Sequence, residues 1–136
     1  MVSLDGLPDV LLREFAATFP DRRGLGAWLY GSHARGKARP GSDVDLGVLC
    51  DEPLDPVRLF DAGGRLTATL KAPVDLVDLR MAGGLLRVEA THRGRALLGP
   101  SLEADLFATH ALADHAAFGL NRQAATRAFE EKLRGR

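Results

Sequence analysis

The sequence has one cysteine, Cys50, and no excess charge of either sign. A single cysteine cannot form an internal disulfide and is too few for a cysteine zinc site. The 18 lysines and arginines balance the 18 aspartates and glutamates. No overall field therefore favours nucleic acid or an anionic membrane, and we expect no specific nucleic-acid partner.

Long apolar runs are also missing. The longest are far shorter than a membrane span, and residues 1–20 lack the pattern of a signal peptide. We therefore expect a cytoplasmic protein with no membrane association. Its 136 residues suit a single domain, 1–136, with a core at about 26–98 and a C-terminal helix at about 101–133.

The order of elements predicts an α/β (α+β) fold, in which a small mixed sheet of three to four strands is flanked by helices. Apolar periodicity indicates helices at 8–19, 56–71 and 85–92, and strands at 27–30, 43–49 and 74–79. A short helix is expected within 32–37 and a short edge strand at 95–98. Ser101 is a plausible N-cap for the last helix, whose apolar face includes Leu120 and which Gly119 could break.

Two aspartates stand at the start of the second predicted strand. Asp43 and Asp45 are two positions apart, so on a strand their side chains share a face. Neighbouring carboxylates repel each other, and a divalent cation is the natural compensation, with oxygen ligands favouring magnesium or manganese. The plainer interpretation is an exposed polar strand start, since Asp-x-Asp often occurs by chance.

A Gly-Ser pair directly after the first apolar strand strengthens the metal-site interpretation. Gly31 allows the backbone to approach a bulky ligand, and Ser32 offers a hydroxyl and an N–H to phosphate oxygens. Gly31 to Lys37 also has the spacing of a P-loop. Residue 38, however, is alanine rather than the Ser or Thr that would hold magnesium, and Pro40-Gly41 ends the helix too early.

Gly-Ser, ten residues and Asp-x-Asp together resemble the signature of the polymerase-beta-type nucleotidyltransferase superfamily. The small chain is similar to the minimal nucleotidyltransferase (MNT) proteins, and most of all to MntA-type antitoxins that pair with a HEPN-domain toxin. The resemblance covers roughly residues 28–98. It implies that Gly31 and Ser32 hold the triphosphate, that Asp43 and Asp45 bind two magnesium ions, and that a third carboxylate completes the site.

The third carboxylate has two candidates, Asp75 and Asp78. They are three positions apart and face opposite sides of a strand, so only one can join the site. The family resemblance favours Asp75 as metal ligand and proton acceptor, which leaves Asp78 as a solvent-facing residue at the strand end. Ser42 is expected to cap or orient Asp43 beside the bound nucleotide.

Other polar residues receive plainer interpretations. His33 is expected to be exposed and without a catalytic role, and Cys50 to lie in or near the core. Arg35, Lys37 and Arg39 bring positive charge beside the triphosphate, but we expect at least two of them to be solvated.

The resemblance implies AMP transfer from Mg-ATP to an acceptor hydroxyl, a tyrosine of a HEPN-type partner toxin. Two alternatives remain open at this point. One is a non-catalytic nucleotide-binding antitoxin that occludes its partner. The other is a small-molecule nucleotidyltransferase of the aminoglycoside type, for which the chain is short.

Overall fold

Four strands form one mixed sheet in the order β3-β2-β1-β4. β1 spans Gly24–Tyr30, β2 Val44–Cys50, β3 Val74–Asp78 and β4 Arg95–Ala96. β1 pairs antiparallel with both β2 and β4, whereas β2 and β3 run parallel. This computed structural model describes residues 3–99 and 101–135, without the side chains of residues 120–123. The expected role of Leu120 therefore lies outside the described residues.

Five helices accompany the sheet in the described ranges. They are α1 Leu7–Thr18, α2 Gly31–Ala34, α3 Pro56–Leu70, α4 Gly84–Arg93 and α5 Leu102–Arg134. The Asp55 side chain caps α3 by accepting from the Arg58 N–H, and the Ser101 hydroxyl caps α5 by accepting from the Ala104 N–H. Ser101 is thus the N-cap that the sequence indicated.

Helices pack against both faces of the sheet and form one hydrophobic cluster on each. On one face, α1 and α3 pack onto alternate strand residues, and this core includes Leu11, Leu29, Leu46 and Leu66. The other face packs on α4 and the start of α5 through a second cluster that includes Trp28, Leu49 and Leu79. Strand alternation places Asp45 and Asp75 on this second face, beyond the residues that the cluster buries.

The predicted fold class, a mixed sheet flanked by helices, is confirmed. Details of the elements differ from the expectations. β1 begins three residues early, at Gly24, and β4 is only two residues long. α5 runs through Gly119 without a break, because one glycine costs a helix only about 1 kcal/mol relative to alanine. Within the described part of the chain, no helix combines the length and apolar character needed to cross a membrane.

Candidate active site

Gly31 occupies a position that only glycine fits without strain. It follows β1 directly and has φ +74°, in the left-handed region that side chains disfavour. A β-carbon built on Gly31 would overlap Oδ2 of Asp45. The close approach of these two residues therefore fixes the start of α2 beside the carboxylate of β2.

A row of three polar side chains crosses the sheet from buried Tyr30 to exposed Asp75. Tyr30 pairs with Asp45 in the antiparallel ladder, and Asp45 pairs with Asp75 in the parallel ladder. Residues opposite each other in adjacent strands point to the same face, with Cβ atoms about 4.5–5.5 Å apart. Tyr30 is the member of this row that we did not anticipate from the sequence, where it read only as the end of an apolar strand.

The electrostatics of the row show that the carboxylates repel each other. Burial, followed by the charges of Asp75 and Asp43, raises the pKa of Asp45, while His33 and Arg35 lower it. Burial and the charges of Asp45 and Asp75 also raise the pKa of Tyr30, which keeps the phenol protonated. Both of the other predicted acids thus act on Asp45, which lies between them in the site.

The loop between α2 and β2 is held by Ser42. Its hydroxyl accepts from the Arg39 N–H at 2.8 Å, and its own N–H donates to the Arg39 carbonyl at 2.9 Å. These bonds close a tight turn immediately before Asp43. Ser42 therefore positions Asp43 through the backbone, and its hydroxyl is engaged with the turn.

His33 differs from the expected exposed side chain. It is half-buried, and its Nε2 lies 3.4 Å from the Ser42 carbonyl oxygen. The imidazole thus connects α2 to the turn immediately before Asp43. Arg35, Lys37 and Arg39 are exposed, and Arg35 forms an ion pair with Glu89 at 3.9 Å.

The prediction that Asp78 faces solvent is wrong. Its side chain is only 4% exposed. Oδ2 accepts from the Leu54 N–H at 2.9 Å, and Oδ1 accepts from the Arg80 N–H at 3.0 Å. Asp78 thus ties the loop after β2 to the end of β3, on the face opposite Asp75. The opposed orientation of the two residues follows the strand alternation that the sequence indicated.

Cys50 lies in the core, as expected, with 1% of its surface exposed. Burial, together with the charges of Asp78 and Asp51, raises the pKa of its thiol to about 12. The thiol is therefore protonated at neutral pH and takes no part in the row of acids.

Among residues 3–99 and 101–135, no three acidic, histidine or cysteine side chains converge tightly enough to form a ready metal cage. What the structure offers is a pair of neighbouring carboxylates, Asp45 and Asp75, with Asp43 close enough to raise the pKa of Asp45. Oxygen ligands of this kind suit magnesium. A bound cation would have to draw the three carboxylates closer together than they stand.

Comparisons with known proteins bear on this arrangement. Residues 21–102 match the family model described as "Polymerase beta, Nucleotidyltransferase". The chain is 32% identical over 97 residues to a protein adenylyltransferase, MntA, of Shewanella oneidensis, covering 71% of this chain and 70% of that one. The matched family segment contains Gly31, Ser32 and all three acids of the site.

Solved structures of toxin–antitoxin complexes contain chains with a fold similar to that of this chain. A chain of a toxin–antitoxin complex crystallised with AMP-PNP has a TM-score of 0.78 and 27% identity, with coverage of 88% of this chain and 95% of that chain. A chain of a toxin–antitoxin MntA–HepT complex has a TM-score of 0.71 and 25% identity, with coverage of 88% and 93%.

Proposed function

This chain belongs to the polymerase beta nucleotidyltransferase family, and on that premise we propose that it transfers AMP from ATP to a tyrosine hydroxyl of a HEPN-type partner toxin. The observation that carries the proposal is the contact between Gly31 and Asp45 in a row that ends at Asp75. It brings the start of α2, where phosphate would bind, next to the carboxylates that would hold its counter-ions. The similarity to MntA and to toxin–antitoxin complexes supports the choice of acceptor.

The nucleotide site consists of Gly31, Ser32 and Ser42. In this proposal the Ser32 hydroxyl and the N–H groups at the start of α2 bind triphosphate oxygens. Ser42 stabilises the turn that positions Asp43. A cavity of about 400 Å³ beside this turn is lined by His33, Arg39 and Lys71 among others, and it brings basic side chains to the turn that precedes Asp43.

Asp43, Asp45 and Asp75 are the ligands that we propose for two magnesium ions. Bound there, the ions would neutralise the triphosphate and the charge that develops on the pyrophosphate leaving group. The electrostatics of Asp45 support this assignment, since burial and then the charges of Asp75 and Asp43 raise its pKa. The same negative charges would oppose a triphosphate arriving without metal.

The reaction forms one bond and breaks one. The phenolic oxygen of the acceptor attacks the α-phosphorus of ATP, and the bond to the β-phosphate oxygen breaks to release pyrophosphate. Asp75 accepts the phenolic proton, for which its place at the exposed end of the row suits it. Asp45 and Asp43 lie on the nucleotide side of the site. Positioning of the acceptor oxygen against the α-phosphate, together with electrostatic stabilisation, supplies most of the rate acceleration.

The decisive experiment incubates the protein with α-labelled ATP, magnesium and a co-expressed HEPN-domain protein. We expect the HEPN protein to gain mass in units of AMP and to lose the label when its tyrosines are replaced by phenylalanine. Asp43→Ala or Asp45→Ala should abolish labelling while the complex still forms. Neutralisation of the toxin without AMP transfer would instead support antitoxin action by occlusion, and labelling of an aminoglycoside would support the small-molecule alternative.

The metal assignment has its own test. Isothermal calorimetry should show ATP binding in the presence of magnesium and no binding after EDTA is added. Equal affinity for ATP with and without metal would contradict the assignment of the three carboxylates as ligands. Without a cation, the negative charges of the triphosphate and the aspartates would repel each other and weaken binding.

A further inference from the structure

The outer edge of β3 is an open sheet edge next to the proposed catalytic row. β3 is the last strand of the sheet, and within the described ranges only β2 pairs with it. An uncovered strand edge presents N–H and C=O groups that can pair with an added strand. This edge also carries Asp75, so whatever binds along it lies beside the carboxylate that we assign as proton acceptor.

The hydrogen bonds at the two ends of β3 show which peptide groups face outward. The Pro73 carbonyl accepts from the Val44 N–H at 2.8 Å, and the Leu79 N–H donates to the Val48 carbonyl at 3.0 Å. Odd-numbered residues of β3 therefore turn their peptide groups toward β2, and even-numbered ones turn them away. In agreement, the Val74 N–H donates to Thr67 Oγ1 of α3 at 3.1 Å. The peptide groups of Leu76 come next along the open edge.

A groove lies along this edge, between β3 and α3. It has a volume of about 380 Å³, and its helix side includes Phe60, Gly63, Gly64 and Thr67. Phe60 is 81% exposed at the rim. A β-carbon on Gly64 would meet no atom within 4 Å. Gly64 thus leaves room for a side chain of another chain, and most of the lining is apolar.

The geometry points to this edge and groove as the docking site of the acceptor segment, which would bind as an added strand on β3 with its tyrosine opposite Asp75. This inference rests on the proposed AMP transfer and deepens it, because it states how the acceptor is held. The occupant is an extended segment of the partner protein in which apolar residues flank the tyrosine.

Strand alternation is what selects this occupant. An added strand would lie about 4.8 Å from β3. Its residue opposite Asp75 would point to the same face as Asp75 and Asp45, extending the row by one member, with Cβ atoms about 4.5–5.5 Å apart. The residues before and after it would point to the other face, into the groove beside α3. Backbone pairing would supply affinity, and the groove would select apolar neighbours of the tyrosine.

The variants that test the docking site are on α3. Gly64→Leu fills the groove and should fold, since the site is open and leucine forms helix better than glycine. Gly64→Ala is its matched control, because it raises helix propensity by a similar amount while leaving most of the groove empty. Phe60→Ala removes the aromatic rim from an exposed position.

Two synthetic nine-residue peptides serve as probes, each with one central tyrosine, flanked by leucines in one and by aspartates in the other. Hydrogen exchange at the Leu76 amide reports docking, and label transfer from ATP reports the reaction. Of the two peptides, we expect only the leucine-flanked one to slow hydrogen exchange at the Leu76 amide. Gly64→Leu should lower kcat/KM for that peptide about tenfold or more, since the fit of one side chain in an apolar pocket is worth roughly 10- to 200-fold. Phe60→Ala and Gly64→Ala should each lower it less than Gly64→Leu does.

The outcomes separate this inference from the proposed function. Equal labelling of the leucine-flanked peptide by the wild type and Gly64→Leu, with no slowing at Leu76, would overturn the docking site and leave AMP transfer standing. Slowed exchange at Leu76 without any label transfer would support the docking site and count against the reaction. Absence of both signals at peptide concentrations up to the solubility limit would overturn the docking site.

Discussion

Asp75 and Asp78 lie on one short strand, but changing each to asparagine should affect different properties: AMP transfer for Asp75 and stability for Asp78. Asp75→Asn should abolish most transfer while leaving stability intact. Its side chain is exposed, and the change removes a charge that raises the pKa of Asp45. Loss of a positioned general base usually lowers the rate by about 10²- to 10⁴-fold.

Asp78→Asn should instead lower stability and leave transfer by the folded protein nearly unchanged. The carboxylate accepts from the N–H groups of both Leu54 and Arg80. An amide offers one oxygen, so one of these donors must face an NH₂ group. An unsatisfied buried donor costs about 1–3 kcal/mol. With an unfolding entropy of about 2.1 cal/mol/K per residue, a loss of about 2 kcal/mol lowers the Tm of 136 residues by roughly 7 °C.

The assay pairs a thermal melt with initial rates of label transfer at 20 °C, where both variants remain folded. Asp61→Asn, an exposed aspartate on α3, is the control and should change neither measurement. A normal Tm with lost activity for Asp78→Asn would refute a purely structural role for the Asp78 carboxylate. A large drop in Tm for Asp75→Asn would refute the assignment of Asp75 to an open, functional face.

The sequence revealed the local chemistry of this site better than its surroundings. Gly31-Ser32 after a strand and Asp43-x-Asp45 at the start of the next one are short-range patterns. The elements lie close to where the periodicity placed them, although β2 begins at Val44 and leaves Asp43 just outside the strand. Alternation also predicted that Asp75 and Asp78 face opposite sides. Each of these inferences depends only on residues within a few positions of each other.

The mistakes concern contacts between residues far apart in the chain. Alternation assigns Asp78 a face, but its carboxylate is bound by the N–H of Leu54, which lies 24 residues earlier in the chain. The half-buried His33 likewise contacts the turn at Ser42, which folds back onto α2. The strand order β3-β2-β1-β4 also had no local signal, and it alone brings Tyr30 into the row with Asp45 and Asp75.

Four further predictions follow from the geometry and charges of the site and framework. Gly31→Ala should lower both the Tm and the affinity for Mg-ATP, measured by melting and calorimetry, because its β-carbon meets the Asp45 carboxylate at a positive φ. Cys50 should resist iodoacetamide at pH 8 and react fully in urea, since burial raises its pKa to about 12; labelling of the native protein at the rate of a free thiol would contradict this. Arg58→Ala should move the pKa of Asp21, followed by NMR, from about 2 toward 3.8, because the Arg58 guanidinium bonds to both oxygens of that carboxyl. Finally, Asp45→Asn should abolish transfer yet raise the Tm of the metal-free protein at pH 7. The folded state raises the pKa of Asp45, so its ionised form weakens the fold above that pKa. This penalty shrinks as pH falls through the folded pKa and vanishes below the unfolded value of 3.8, so the Tm advantage of the variant should close over that range. A constant advantage down to pH 3, or none at pH 7, would show that repulsion at Asp45 does not set the stability of the empty site.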